Sequence, residues 1–244
     1  MYPLPPEQLY LLHDYMSIVM LIVCVLICYA GYTLTSQTYK KYVSYALVAF
    51  CILQEGLDYL NRIYLDELYN FSLSTDLPLQ FCVIGFYLSI FGILMNVSSV
   101  RFNPKLEQFL FDVAYVLGFG GALQALLNVD LTGVNNMIGI FTLNWTHSLI
   151  IINVLWLVFA YGKRFNAQSI INSFMFINVV IFPVGIINYF LNANYMFICS
   201  PPAVDSSFII GDWPYYLLYL EIIYFIYIFI LYLPFKLAEK YSIK

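Results

Sequence analysis

Seven long apolar runs follow one another along the chain, at roughly 15–35, 42–63, 78–98, 108–129, 137–161, 169–191 and 214–235, separated by short polar breaks. A helix of about 20 residues, rising about 1.5 Å per residue, crosses the ~30 Å hydrocarbon core of a bilayer. Backbone polar groups in lipid must bond to one another, which leaves helices or a closed barrel. Barrel strands are about 10 residues long and alternate in polarity with every residue. These runs are twice that length and do not alternate. The pattern predicts an all-α fold: a polytopic helical integral membrane protein with seven transmembrane helices, forming one transmembrane domain over residues 1–244.

Composition agrees. Hydrophobic residues make up 62% of the chain and charged residues 10%, whereas a soluble domain carries roughly 25% charged residues. Too few charges exist to cover a water-facing surface, and nothing in the sequence points to a nucleic-acid partner. The position of the charges sets the orientation. Lys40 and Lys41 follow the first run, Arg101 and Lys105 join the third and fourth, Lys163 and Arg164 join the fifth and sixth, and Lys236, Lys240 and Lys244 follow the seventh. Only Arg62 lies near the other side, where the loops carry Asp66, Glu67, Asp76, Asp130, Asp205 and Asp212. Basic loops stay in the cytoplasm, which predicts the N-terminus out and the C-terminus in. The start of the chain has no basic segment before its first apolar run, so that run is expected to be a retained span and not a cleaved signal.

Ionisable and amide side chains inside spans are costly and usually functional or paired. The second run carries Glu55, Asp58 and Arg62 on one helical face. The third opens with Pro78-Leu79-Gln80, and the fourth carries Gln124 and Asn128 after Gly118, Gly120 and Gly121. The fifth holds Asn144 and His147, the sixth Asn178 and Asn188, and the seventh Glu221. By helical rise, most of these lie at similar depth below the outer boundary, about 8–15 Å down. They predict one polar cavity open to the outer leaflet, with a membrane lipid as partner. The expected catalytic set is His147 as general base with Glu55 or Glu221 orienting it. Gln80, Gln124, Asn128, Asn144, Asp58, Arg62 and Asn188 are the expected substrate-binding set. The competing account is structural: Asp58 and Arg62 as an ion pair, the glycines for close helix packing, and the amides as interhelical glue. His13, beside Asp14, reads as interfacial.

The five cysteines show neither paired nor zinc-ligand spacing, and no metal or cofactor is expected. Cys82 is two residues from Gln80, about 200° around a continuous helix, which argues against it as a nucleophile in the same cavity.

Four segments carry a resemblance. Leu77-Pro78-Leu79-Gln80-Phe81-Cys82, Gly120-Gly121-Ala122-Leu123-Gln124-Ala125-Leu126-Leu127, Asn194-Tyr195-Met196-Phe197-Ile198-Cys199 and Trp213-Pro214-Tyr215-Tyr216 resemble, in order, the YwaF family of bacterial integral membrane proteins. That family is similar to eukaryotic transmembrane ether-phospholipid acyltransferases. The resemblance implies a bacterial plasma-membrane location, a lipid substrate and Cys/His chemistry. It places His147 at the second family histidine. The eukaryotic relatives read Pro-Cys-His where this chain reads Pro78-Leu79-Gln80, so the resemblance supplies no nucleophile at residue 79. The expected function is therefore a lipid-active acyltransferase or hydrolase. The alternatives are a non-catalytic membrane scaffold of the same fold, or a proton- or cation-coupled transporter.

Overall fold

A computed structural model describes residues 3–202 and 209–242; Asp205 and Lys244, which contribute to the charge pattern, lie outside them. Among the described residues there is no strand. The helices are α1 (Pro6–Thr33), α2 (Gln37–Leu60), α3 (Phe81–Val97), α4 (Pro104–Leu117), the short α5 (Leu123–Leu127), α6 (Met137–Tyr161), α7 (Ala167–Leu191) and α8 (Tyr215–Ser242). A π turn, Asn61–Leu65, continues α2, and a second, Gly118–Ala122, joins α4 to α5. Six helical segments are long and apolar enough to cross a membrane: Pro6–Thr33, Gln37–Leu65, Pro104–Leu127, Met137–Tyr161, Ala167–Leu191 and Tyr215–Lys240.

Two boundaries differ from the periodic reading, each for a local reason. α1 starts at Pro6, well before the apolar run read from residue 15, because proline at the first helical position has its φ already set and no N–H to lose. α3 is only 17 residues long. Pro78 and Gln80 stand outside it, since Gln80 is extended (φ −72°, ψ 147°) and acts as its N-cap position.

α6 is the axis of the bundle. It is apolar on nearly every side, as a helix surrounded by others must be, and it packs against α1, α2, α3 and α4. Its Leu149, Ile150, Ile152, Val154, Trp156 and Leu157 are at most 1% exposed. α7 packs on α4, and α8 packs on α7. The outward faces of α1 and α8 expose large apolar side chains such as Leu21, Ile22, Leu218 and Ile222; apolar surface this extensive needs a lipid environment.

The two ends of the bundle differ in charge. At one end Lys40 Nζ donates to the Ala160 carbonyl (2.6 Å), Lys163 pairs with Glu107 (3.1 Å) and Arg164 lies over the Phe235 ring (6.0 Å). At the other, the Leu4 N–H donates to the Asn135 carbonyl (2.8 Å), Asn135 Nδ2 donates to Asp66, and Arg62 meets Asp76.

Close helix contacts explain two glycines. A Cβ at Gly118 would stand 3.0 Å from Ile150 Cγ2, and one at Gly85 3.0 Å from Leu117 Cβ. Gly56, mid-α2, has nothing within 4 Å of that position. We therefore expect Gly118→Val to lower stability by about 1–3 kcal/mol through overpacking. Gly56→Ala should be neutral or stabilising by up to ~1 kcal/mol. Thermal unfolding of the purified proteins in detergent checks both.

Candidate functional site

A cavity of about 250 Å³ lies at the acidic end, between α2, α3 and α6. Loop residues Thr75–Pro78 and Thr132–Val134 line it together with Glu55, Asp58, Arg62, Gln80, Cys82 and His147.

The imidazole and the thiol define its chemistry. His147 Nδ1 is 2.7 Å from the carbonyl oxygen of Leu143, one turn back along α6. A carbonyl only accepts, so Nδ1 carries the proton and Nε2 presents a lone pair. The Cys82 thiol lines the same cavity, close enough to this imidazole for the two to interact; with Nδ1 engaged, Nε2 is the ring nitrogen left to take a proton. Cys82 is the second residue of α3. It stands in the first helical turn, whose N–H groups have no intrahelical partner. A cysteine at a helix N-terminus beside a histidine is the usual setting of a nucleophilic thiol.

The expectation that Gln80 and Cys82 face opposite ways is corrected. The 200° argument holds only inside a continuous helix, and α3 begins at Phe81. The extended backbone at Gln80 turns its side chain into the cavity that Cys82 also lines. Gln80 Oε1 accepts the Met196 N–H (2.9 Å), which fixes the amide and leaves its NH₂ as a donor.

Above the thiol lies a charge clasp. Arg62, carried by the π turn, reaches Asp58 at 2.5 Å and Asp76 at 3.1 Å. Asp58 also accepts from the Thr142 hydroxyl (2.7 Å), which ties α2 to α6. Asp76 accepts from the Tyr69 hydroxyl (2.5 Å), the Ser72 N–H (2.9 Å) and the Thr75 hydroxyl (2.8 Å). Burial alone would raise the Asp76 pKa. The hydrogen bonds from Tyr69, Ser72, Thr75 and Arg62 together outweigh it and hold the carboxyl below its ordinary value of 3.8. Burial and the bond to Asp76 push the Tyr69 hydroxyl from 10.0 up to about 12.

The sign of each effect follows from linkage. A carboxylate with a depressed folded pKa stabilises fully above its unfolded value, and that contribution is lost as pH falls through the folded one. A phenol with a raised folded pKa contributes below its unfolded value, and loses that contribution as pH rises through the folded one. The clasp should therefore keep its full strength between about pH 4 and pH 10. It should weaken below that range through Asp76 and above it through Tyr69. A melting-temperature series against pH checks this, with Asp76→Asn flattening the acid limb and Tyr69→Phe the alkaline one.

The other expected site residues lie elsewhere. Glu221 accepts from Asn178 Nδ2 (2.6 Å), a rung between α7 and α8 that is not part of the cavity. Gln124, at the start of α5, and Asn128, just after it, are exposed. Asn144 faces α1, where its amide reaches His13 and donates to the Ser17 hydroxyl (2.7 Å). Asn188 closes the turn after α7 by bonding both backbone groups of Tyr195. The single cavity read from equal depth thus gathers residues of α2, α3 and α6 but none of α4, α7 or α8. Depth fixes height along the bundle and says nothing of the azimuth at which a side chain leaves its helix. His147 touches none of the three carboxylates expected beside it: Glu55 is taken by the Tyr87 hydroxyl (2.6 Å) and Asp58 by Thr142 and Arg62. Backbone carbonyl 143 orients the ring in their place.

His13 is also corrected. It is 3% exposed, and its Nε2–H donates to the Leu126 carbonyl (3.0 Å) while Nδ1 accepts from Asn144 (3.3 Å). Sequence reading passed over Asp112 as well. This fully buried residue is held by Gln108 (2.7 Å) and Asn172 (2.9 Å) at the opposite end of the bundle. The four-residue spacing of Gln108 and Asp112 was the available signal. Among the described residues no three His, Cys, Asp or Glu side chains converge as metal ligands do.

Comparison with known proteins gives one match. The sequence profile of the TMEM164 family, a family of transmembrane proteins, matches residues 4–232. The chain belongs to the TMEM164 family. The match runs through every helix and both halves of the cavity wall, so Cys82 and His147 lie well inside it. A multi-pass membrane protein in contact with membrane lipid follows from the family and the apolar helices together. No curated protein and no solved structure matches the chain.

Proposed function

We propose that this protein is a membrane-embedded acyltransferase or hydrolase that uses Cys82 as nucleophile and His147 as general base on an acylated lipid. The observation that carries the proposal is the pairing of Cys82 and His147 in one cavity at one end of the helix bundle, with Nδ1 of the ring tied to the Leu143 carbonyl. Nε2 takes the thiol proton as sulfur attacks the ester carbonyl of the lipid. The tetrahedral intermediate collapses to a Cys82 thioester and an alkoxide, which takes the proton back from Nε2. A lipid hydroxyl, or water in a hydrolase, then loses its proton to Nε2 and attacks the thioester. Collapse returns that proton to the sulfur. Gln80 Nε2 and the first-turn N–H groups of α3 are the donors placed to meet the developing oxyanion.

The YwaF-like segments and the relation to ether-phospholipid acyltransferases support a lipid substrate and imply a bacterial plasma membrane. Cys82 stands three residues beyond Leu79, the position of the relatives' cysteine, so the nucleophile has moved along the chain in this reading. Seven spans with the N-terminus out and the C-terminus in the cytoplasm accompany it: α3, about 25 Å long, makes the seventh crossing, and the basic end of the bundle faces the cytoplasm. The cavity then opens toward the outer leaflet.

Trapping the thioester is the test. Full-length protein incubated with acylated phospholipid and digested should yield the Cys82 peptide carrying an acyl mass that neutral hydroxylamine removes. An unmodified Cys82 peptide in a preparation that turns over lipid would rule out the covalent route.

A further inference from the structure

Glu55 lines the polar cavity with Cys82 and His147, and the steps above give it no part. Arg62 is spent on Asp58 and Asp76, and among the described residues no basic side chain pairs with Glu55. Its Oε1 accepts the Tyr87 hydroxyl from α3 (2.6 Å), the one hydrogen bond made to this carboxylate among the described residues. One oxygen is thus fixed, and Oε2 is left to accept.

Two rungs set the height of this carboxylate. Asp58 accepts from the Thr142 hydroxyl (2.7 Å), and Gln54 Nε2 donates to the Thr146 hydroxyl (2.6 Å). Four residues up α2 match four residues back along α6, so the two helices run antiparallel with Gln54 level with Thr146. Glu55 stands one residue above that rung and His147 one residue below it, about 3 Å apart in height. A helical side chain leans toward the N-terminus of its own helix. The Tyr87 side chain therefore holds Glu55 toward the end of α3 that carries Cys82. Glu55 and His147 share both a height and a cavity without bonding each other, so one small molecule there can meet both.

Each of the two presents an acceptor: Nε2 of His147, whose Nδ1 proton goes to the Leu143 carbonyl, and Oε2 of Glu55. Two acceptors ask for a molecule with two donors. Water has two O–H groups. A lipid alcohol has one at its reacting oxygen; given to Nε2, it leaves Glu55 facing a carbon. A site built to bond a polar hydrogen discriminates against an analogue that lacks it.

We propose that the nucleophile clearing the acyl group from Cys82 is a water held between His147 Nε2 and Glu55 Oε2, so that the thioester is hydrolysed in preference to being passed to a lipid alcohol. The inference rests on the Cys82–His147 reading above and chooses between its two acceptors. The water oxygen attacks the thioester carbonyl as one of its protons passes to Nε2. The tetrahedral intermediate expels the Cys82 sulfur, which takes that proton from Nε2, and the free carboxylic acid leaves. Glu55 bonds the other hydrogen throughout and neither gains nor loses a proton.

The test follows both halves of the reaction. Full-length protein in detergent is mixed with an acylated phospholipid, with and without a long-chain alcohol. The Cys82 thioester, the free fatty acid and the alcohol ester are measured together by mass spectrometry. The wild type should release mainly fatty acid even with the alcohol present. Glu55→Gln puts a donor where the water needs an acceptor. It should form the thioester at the wild-type rate and slow acid release by roughly tenfold or more, the scale lost when a reactant is misplaced. Acyl-Cys82 should then accumulate, and the ratio of ester to acid should rise. Glu55→Asp should recover part of the acid release. Tyr87→Phe, which keeps the carboxylate and frees it, should shift the ratio the same way by less. A change that merely loosened the fold would slow thioester formation and leave the ratio unmoved. Wild-type protein that gives mainly ester, or an unchanged ratio in both Glu55→Gln and Tyr87→Phe, would overturn the water site while leaving Cys82 as nucleophile. Lipid turnover with no thioester in the wild type would sink the Cys82 reading and this inference with it.

Discussion

Replacing Cys82 by alanine should abolish acyl transfer, with a loss of roughly 10³-fold or more, the scale seen when a covalent nucleophile is removed from a site whose parts act as a unit. His147→Ala should lose a similar factor, because the thiol no longer has a base 2.7 Å-anchored on its other nitrogen to the Leu143 carbonyl. The double variant should be no worse than either single one, since the two side chains perform one step. Both substitutions change span hydrophobicity little, so membrane insertion and folding should be unaffected. Glu221→Gln is the informative control. Its carboxylate bonds Asn178 away from the cavity, and its rate should stay within a few-fold of wild type. Initial rates of acyl transfer and of hydrolysis on folded, purified variants decide the matter. A Cys82→Ala protein with wild-type rate would return Cys82 to a packing role, and a fully active His147→Ala would do the same for the imidazole.

The largest loss of stability is expected at Arg62. Its guanidinium is the counter-charge to both Asp58 and Asp76, whose side chains are 12% and 0% exposed. Arg62→Met leaves two carboxylates together without it. Removing one member of a buried ion pair costs about 3–5 kcal/mol; a third of the Arg62 side chain reaches solvent, which reduces that to roughly 2 kcal/mol or somewhat more. Adding Asp76→Asn should recover part of the loss, because one of the stranded charges is then gone. Lys236→Met provides the contrast. Its partner Glu239 is 61% exposed at 3.7 Å, and a solvated pair of this kind is worth less than about 1 kcal/mol. Thermal or denaturant midpoints in one detergent compare all three. An Arg62→Met midpoint equal to that of Lys236→Met would mean that water, and not the guanidinium, compensates the two carboxylates.

The sequence by itself determined the helical membrane class. Helix length, apolar composition and the need to satisfy backbone bonds within each segment act locally, so they can be read one run at a time. The polar residues of α2 and α6 were legible for the same reason: Glu55, Asp58 and Arg62 repeat at helical spacing, and His147 is conspicuous in an apolar run. What the tertiary structure decided is which of these residues meet. Helical rise gives each side chain a height, and Glu221, Gln124 and His147 have similar heights; only packing gives the direction in which each one leaves its helix. That direction sends Glu221 to Asn178 and Asn144 to α1, and brings Asp76 from a loop into the Arg62 clasp. Cys82 shows the same limit at single-residue scale. Two residues apart means opposite faces only within a helix, and the start of α3 at Phe81 depends on contacts far along the chain: the Met196 N–H holds the Gln80 side chain, and the Tyr195 hydroxyl receives the Leu77 N–H at 2.8 Å. Residues more than 100 positions away thus fix the backbone that turns Gln80 and Cys82 into one cavity, and no local pattern in the sequence encodes such a contact.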